Sequence, residues 1–179
     1  MKVLKILLYT LVIIIAIPLV VALFVRKDYG VERRVVIHKP NAQVFDYIKH
    51  LKNQDLYSKW STMDPNMKRS FRGTDGTVGF VSAWESPKPE VGKGEQEITK
   101  IVEGSRFETQ LLFIKPFESQ SDAYMTTAPL DSTSTEVKWG FKGTYAYPMN
   151  IMNLLMDMDA AIGGDFAFGL NRLKQNLEH

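Results

Sequence analysis

From Ile6 to Val25 the chain carries no charged side chain for twenty positions; beyond it, apolar residues recur in short alternating or helically spaced patterns. At about 1.5 Å of rise per residue, the first run spans about 30 Å as a helix, the thickness of a bilayer's hydrocarbon core. It has no polar face, which sets it apart from a core helix. A cleaved signal peptide would have a shorter apolar core, about 7–15 residues, ending in small residues. Here the run ends in Val21-Ala22-Leu23-Phe24-Val25, with bulky side chains where small ones are needed. The pattern predicts a retained single-pass anchor, bent mildly at Pro18, which membrane helices tolerate. Lys2 and Lys5 stand before it; Arg26, Lys27, Arg33 and Arg34 stand after it. The loop-charge rule weakly favours a cytoplasmic domain, but large domains translocate largely regardless of flanking charge. With so short a leader the run reads as a signal anchor, and the soluble domain is expected on the extracytoplasmic side. The chain thus divides into an anchor, 1–27, and one domain, 28–179.

Within the domain, Val31 to Ile37 alternates and is β-branched, predicting a first strand. Asn41 reads as the N-cap of a helix in which Val44, Phe45, Ile48 and Leu51 recur at helical spacing. A second short helix is expected over about 53–59, ending near Trp60. The period then changes to two. Val78, Phe80 and Trp84 alternate, as do Phe107, Leu111 and Phe113 opposite Glu108 and Gln110. Asp75-Gly76 and Gly92-Lys93-Gly94 are turn signals between strands. The strongest strand is Glu136 to Tyr147, with Val137, Trp139, Phe141, Gly143, Tyr145 and Tyr147 on one face and Lys138 and Lys142 on the other. Such alternation marks an antiparallel sheet covered on one side only. After Pro148, a stripe from Ile151 through Leu155, Met158, Ile162, Phe166 and Leu170 to Leu177 predicts a long helix lying across that sheet. Gly163-Gly164 interrupts it at roughly 1 kcal/mol per glycine. Two readings stay open: close packing on the sheet, or a kink that leaves a space beneath.

Composition narrows the possible chemistry. Setting Lys2 and Lys5 aside, the 22 basic residues become 20, against 20 acidic ones, so the domain lacks the basic excess of a nucleic-acid binder. The chain has no cysteine, which removes thiol catalysis, disulfides and cysteine-ligated metals together. His38, His50 and His179 are its only histidines, too few for a multi-histidine metal site. No metal or cofactor is expected.

The order of elements, and stretches such as Val44-Phe45-Asp46-Tyr47-Ile48, Trp60-Ser61 and Gly73-Thr74-Asp75-Gly76-Thr77-Val78-Gly79, resemble the SRPBCC (START-like) superfamily. Trp84-Glu85, Val91-Gly92-Lys93-Gly94-Glu95, Pro116-Phe117-Glu118-Ser119, Trp139-Gly140-Phe141 and Tyr147-Pro148-Met149-Asn150 extend the match. More closely, the whole chain resembles bacterial single-span SRPBCC proteins of the polyketide cyclase/dehydrase type. The resemblance implies an α+β helix-grip fold: a curved antiparallel sheet wrapped round a long C-terminal helix, preceded here by one transmembrane helix. It further implies a hydrophobic cavity between sheet and helix. The residues placed to line it are Phe80, Trp84, Phe113, Trp139 and Phe141, with Met152, Leu155 and Met158 from the helix. The competing reading is that these side chains simply fill a core. Met-rich walls adapt to variable guests, however, and a crowd of large rings is hard to pack without voids.

Polar candidates for that interior are Gln96, Tyr124 and Tyr145, none paired by sequence with a carboxylate or histidine. Glu85, Glu95 and Glu97 read as solvated strand positions. Asp157 and Asp159 have the spacing of a DxD metal motif, but on a helix they diverge by about 200°. Gly92-Lys93-Gly94 lacks the third glycine and the helix of a dinucleotide fingerprint. No catalytic residue can be named. Three functions stay open: a membrane-tethered carrier or sensor of a hydrophobic, lipid-like molecule; a cavity enzyme of the polyketide cyclase/dehydrase type; and a solid-cored protein-interaction module.

Overall fold

The computed structural model describes residues 2–179. Helix α1 (Lys2–Ala22) is the apolar run, exposed along its length except at Ala22. Strand β1 (Asp28–Ile37) follows, then the short helices α2 (Asn41–Lys49), α3 (Leu51–Gln54) and α4 (Lys59–Met63). Six strands come next: β2 (Lys68–Arg72), β3 (Val81–Glu85), β4 (Lys93–Val102), β5 (Arg106–Lys115), β6 (Ser119–Pro129) and β7 (Thr135–Thr144). A 3₁₀ turn (Met149–Ile151), α5 (Met152–Leu155) and the long α6 (Met158–Glu178) complete the chain. The seven strands form one antiparallel sheet in the order β1-β7-β6-β5-β4-β3-β2, and the layout is that of the helix-grip fold. Helix α6 lies across the sheet's inner face, chiefly against β1, with α2 to α4 beside it.

The alternation in β5 and β7 is realised as the sequence predicts: Phe107, Thr109, Val137 and Trp139 point inward and are buried. Other elements depart from the pattern for local reasons. Val78 and Phe80 precede β3, because Gly76 and Gly79 adopt positive φ and turn the chain there. Asn41 does not cap α2; its side-chain amide donates to the Gly104 carbonyl at 2.6 Å, tying the helix start to the β4–β5 turn. The second helix divides in two, and β7 ends at Thr144 rather than Tyr147.

The C-terminal stripe is not one helix. Met156 is extended, and the Asp157 carboxylate accepts from the backbone N–H groups of Asp159 and Ala160, so α6 begins afresh with a side-chain cap. The glycine pair does not break α6. Gly163 leaves room for the Arg33 guanidinium of β1, which a Cβ there would meet. That guanidinium donates two hydrogen bonds to Asp159, at 2.6 and 2.8 Å, and pins the first turn of α6 to β1. The two aspartates of the DxD spacing are thus a helix cap and an ion-pair partner.

Candidate functional site

The interior is solid at one end and hollow at the other. Where the helices α2 and α3 close the sheet, Ile37, Phe45, Ile48, Phe80, Ile98 and Leu173 are fully buried against one another. Toward the opposite end a cavity of about 420 Å³ opens between the sheet and the first turns of α6. That volume lies within the range of small-molecule sites, about 300–1,000 Å³.

Strand register explains the void. One row of inward positions runs Ser82, Gln96, Leu111, Ser121, Gly143 and Tyr29 across β3, β4, β5, β6, β7 and β1. The next row on β6 carries Ala123, opposite Thr109 and Phe141. Serine and alanine in the middle of the sheet leave unfilled the depth that larger side chains occupy on either side, while the Tyr29 ring covers Gly143. Large rings then form the walls: Trp84 meets Phe113 edge-on at 6.0 Å, and Trp139 meets Phe166 at 4.8 Å. Met158, Ile162 and Phe166 of α6 form the roof.

Of the sequence candidates, Trp84, Phe113, Trp139, Phe141 and Met158 line this cavity, and so does Gln96. Phe80 points into the same interior but lies in the solid end. Met152 and Leu155 lie off the wall, because the break at Met156–Asp157 turns α5 away from the axis of α6; Leu155 is 75% exposed. Tyr124 faces outward. Even-numbered positions of β6 project to the outer face, where the Tyr124 hydroxyl donates to Glu32 and its ring packs across Gly140 beneath Arg106. Burial and the Glu32 carboxylate push that phenol up to about 12. Tyr145 stands behind the wall, with its ring 4.6 Å from Tyr29 and its hydroxyl on the Met158 sulfur.

The polar corner of the cavity was not foreseen. Asp55, at the end of α3, and Arg69, on the edge strand β2, both line it and pair at 2.5 Å. The Ser61 hydroxyl donates to the same carboxylate at 3.4 Å. Burial pushes the Asp55 carboxyl above its ordinary value, while Arg69 and Ser61 pull it back and the charge of Asp75 adds a smaller push. Gln96 donates to Thr109 at 2.9 Å, and Ser82 and Ser121 add buried hydroxyls on the floor. The pair escaped the sequence because Lys68-Arg69-Ser70-Phe71-Arg72 has no apolar alternation, and only the fold of the edge strand turns one of its arginines inward. An apolar chamber with one ionic corner and a few hydroxyls is suited to an amphiphile: apolar wall for its body, fixed donors and an acceptor for its polar group.

Residues 29–178 match the family described as polyketide cyclase/dehydrase and lipid transport. No curated protein matches the sequence. Among solved structures, truncated norcoclaurine synthase from Thalictrum flavum superposes with a TM-score of 0.61 at 12% identity, covering 87% of this chain and 97% of that one. Aha1 from Colwellia psychrerythraea gives 0.56 at 12% identity, covering 84% and 96%. Ara h 8.0201 gives 0.54 at 11% identity, covering 84% and 98%. At these identities the likeness is one of fold.

Proposed function

Because the chain belongs to the polyketide cyclase/dehydrase and lipid transport family, within the SRPBCC superfamily, we propose that it is a membrane-tethered binding protein for a lipid-like amphiphile. The ligand's body would lie between Trp84, Phe113, Phe141 and Met158, and its polar group at Asp55 and Arg69. The observation that carries this reading is the cavity itself, apolar in its walls and ionic at one corner. Burial of apolar surface, at about 25 cal/mol per Å², would supply most of the affinity, and the corner would set the ligand's orientation. Helix α1 supports the tether by its length and its uninterrupted apolar surface. The domain is read as extracytoplasmic; a membrane-impermeant maleimide should label L130C, at an exposed hairpin tip, in intact cells, and failure to label would reverse the side.

The test of binding is organic extraction of the purified full-length protein followed by mass spectrometry, beside uptake of a fluorescent fatty acid. Wild-type protein should yield a bound amphiphile. The Leu111→Trp variant, which fills the floor of the cavity, should bind the probe at least tenfold more weakly. Repeated recovery of empty wild-type protein that takes up no probe would refute the reading. One observation favours a second reading, acid–base chemistry on the bound molecule: a carboxylate, Asp55, lines the cavity, and burial raises its pKa from the ordinary value against the pull of Arg69. Asp55→Asn separates the two. A carrier keeps its ligand in that variant, whereas an enzyme keeps the ligand and loses conversion of it.

A further inference from the structure

The mouth of the cavity and the end of the anchor lie at the same end of the domain. The register pairs Asp28 with Thr144, Phe113 with Ser119, Lys93 with Lys115 and Lys68 with Glu85, so the start of β1 shares one end of the sheet with the β3–β4 and β5–β6 loops. At this end Lys115, the last residue of β5, and Pro116 and Phe117 of the β5–β6 loop line the cavity, opposite Met158 and Ile162 of its roof. The segment that leads into α6 also grips the anchor. Asn150, fully buried, donates through Nδ2 to the carbonyls of Ala22 and Val25 at 2.6 and 2.8 Å. Asn153 donates to the Arg26 carbonyl at 2.7 Å, and the Tyr147 hydroxyl to that of Leu19 at 3.3 Å. The last carbonyls of a helix have no partner within it, so these bonds fix the domain against the end of α1 rather than leaving it on a loose tether.

Around that junction apolar side chains face outward. Phe24 is 85% exposed, Leu154 62% and Phe117 81%, and Leu155 and Met149 stand open beside them. At the far end of the sheet, exposed apolar residues such as Val78 and Leu130 stand singly on separate turns. A water-exposed grouping of this kind is a contact surface, and its continuity with the anchor says what it contacts. We propose that this end of the domain docks onto the bilayer that holds α1, with Leu154 and Leu155 on one side of the cavity mouth and Phe117 on the other entering the interface. The inference rests on the tethered reading above. Its charges nearly cancel, with Arg26, Lys27, Lys68, Lys88, Lys93 and Lys115 against Asp28, Glu85, Glu90, Glu118 and Asp157, so docking is driven by apolar insertion and needs no anionic lipid.

The chain's lack of cysteine makes the test direct. Full-length L155C, F117C and L130C, each carrying an environment-sensitive nitrobenzoxadiazole label, are placed in nanodiscs of neutral phosphatidylcholine with or without doxyl-labelled lipid. Labels at 155 and 117 should emit at shorter wavelength and lose at least half their intensity to the doxyl lipid. The label at 130, about 30 Å away along strands of this length, should be unaffected. If the chain stays in the discs but 155 and 117 behave like 130, docking is overturned while the tether stands. A chain that does not enter the discs overturns both.

Discussion

Gly94 shows how little material shapes the cavity wall. A Cβ at this position would lie 2.6 Å from both the Trp84 ring and the Leu112 carbonyl oxygen, so the indole lies flat across β4 only because nothing projects there. Trp84 is then held by its Nε1–H, which donates to the Val91 carbonyl at 3.0 Å, and by the edge of Phe113. Gly94→Ala is expected to destabilise the domain by about 1–3 kcal/mol, since a backbone carbonyl cannot yield as a side chain can. Thermal unfolding followed by near-ultraviolet circular dichroism should show a lower Tm and a changed tryptophan band; an unaltered Tm would mean the indole moves freely. Residue patterns read from sequence do not separate Gly94 from Gly92. Gly92 has φ 63° and makes the turn, whereas Gly94 sits inside a strand, and only the register with Trp84 distinguishes the two. The wall aromatics were legible because they alternate. Arg69 was not, because a charged edge strand looks the same whether its side chains point in or out.

Among the elements, α6 carries two roles along its length: its first turns roof the cavity and its last turns complete the solid core. Its C-terminal end is locked to β1 by Glu178, whose carboxylate accepts from the His38 backbone N–H at 2.7 Å and from Lys174 at 2.7 Å, with the His38 ring at 3.0 Å. These donors hold the carboxyl well below its ordinary value, at about 2. A depressed carboxylate contributes stability that is fully present above its unfolded pKa, about 4.3, and is lost as pH falls toward the folded value. The stability gap between wild type and Glu178→Gln should therefore be widest near pH 6 and close progressively between about pH 4.5 and pH 2. Urea titrations across that range measure it, and a gap independent of pH would show that the carboxylate's charge is not what docks the helix. The existence and apolar face of α6 were plain from its stripe. Its true start was hidden, because Asp157 caps from within an apolar run and the stripe passes over the break without losing phase. Met152 and Leu155 were assigned to the cavity for that reason, and the same break frees α5 to face outward.

At the scale of the whole molecule, the five residues between α1 and β1 look in sequence like a flexible leash, able to reach roughly 17 Å when extended. Folded, they are nothing of the kind, since Asn150 reaches back across the chain and occupies the carbonyls of Ala22 and Val25. Its own Oδ1 has no partner, so the residue serves here purely as a donor. No local pattern announces this bond, which joins residues separated by about 125 positions. Asn150→Leu keeps much of the volume and removes both donors, leaving the buried Ala22 carbonyl unpaired at about 1–3 kcal/mol and the part-buried Val25 carbonyl at less. The cost falls on the junction, because the solid core lies at the opposite end of the sheet. In full-length protein held in phosphatidylcholine nanodiscs, trypsin should therefore cut after Arg26 or Lys27 several times faster in the variant, while the domain's Tm changes little. Local opening governs such cleavage, so equal rates would mean that the anchor and the domain are not mechanically joined. A joined anchor turns a point of attachment into an orientation, and in the docking proposed above that orientation would turn the cavity mouth toward the membrane.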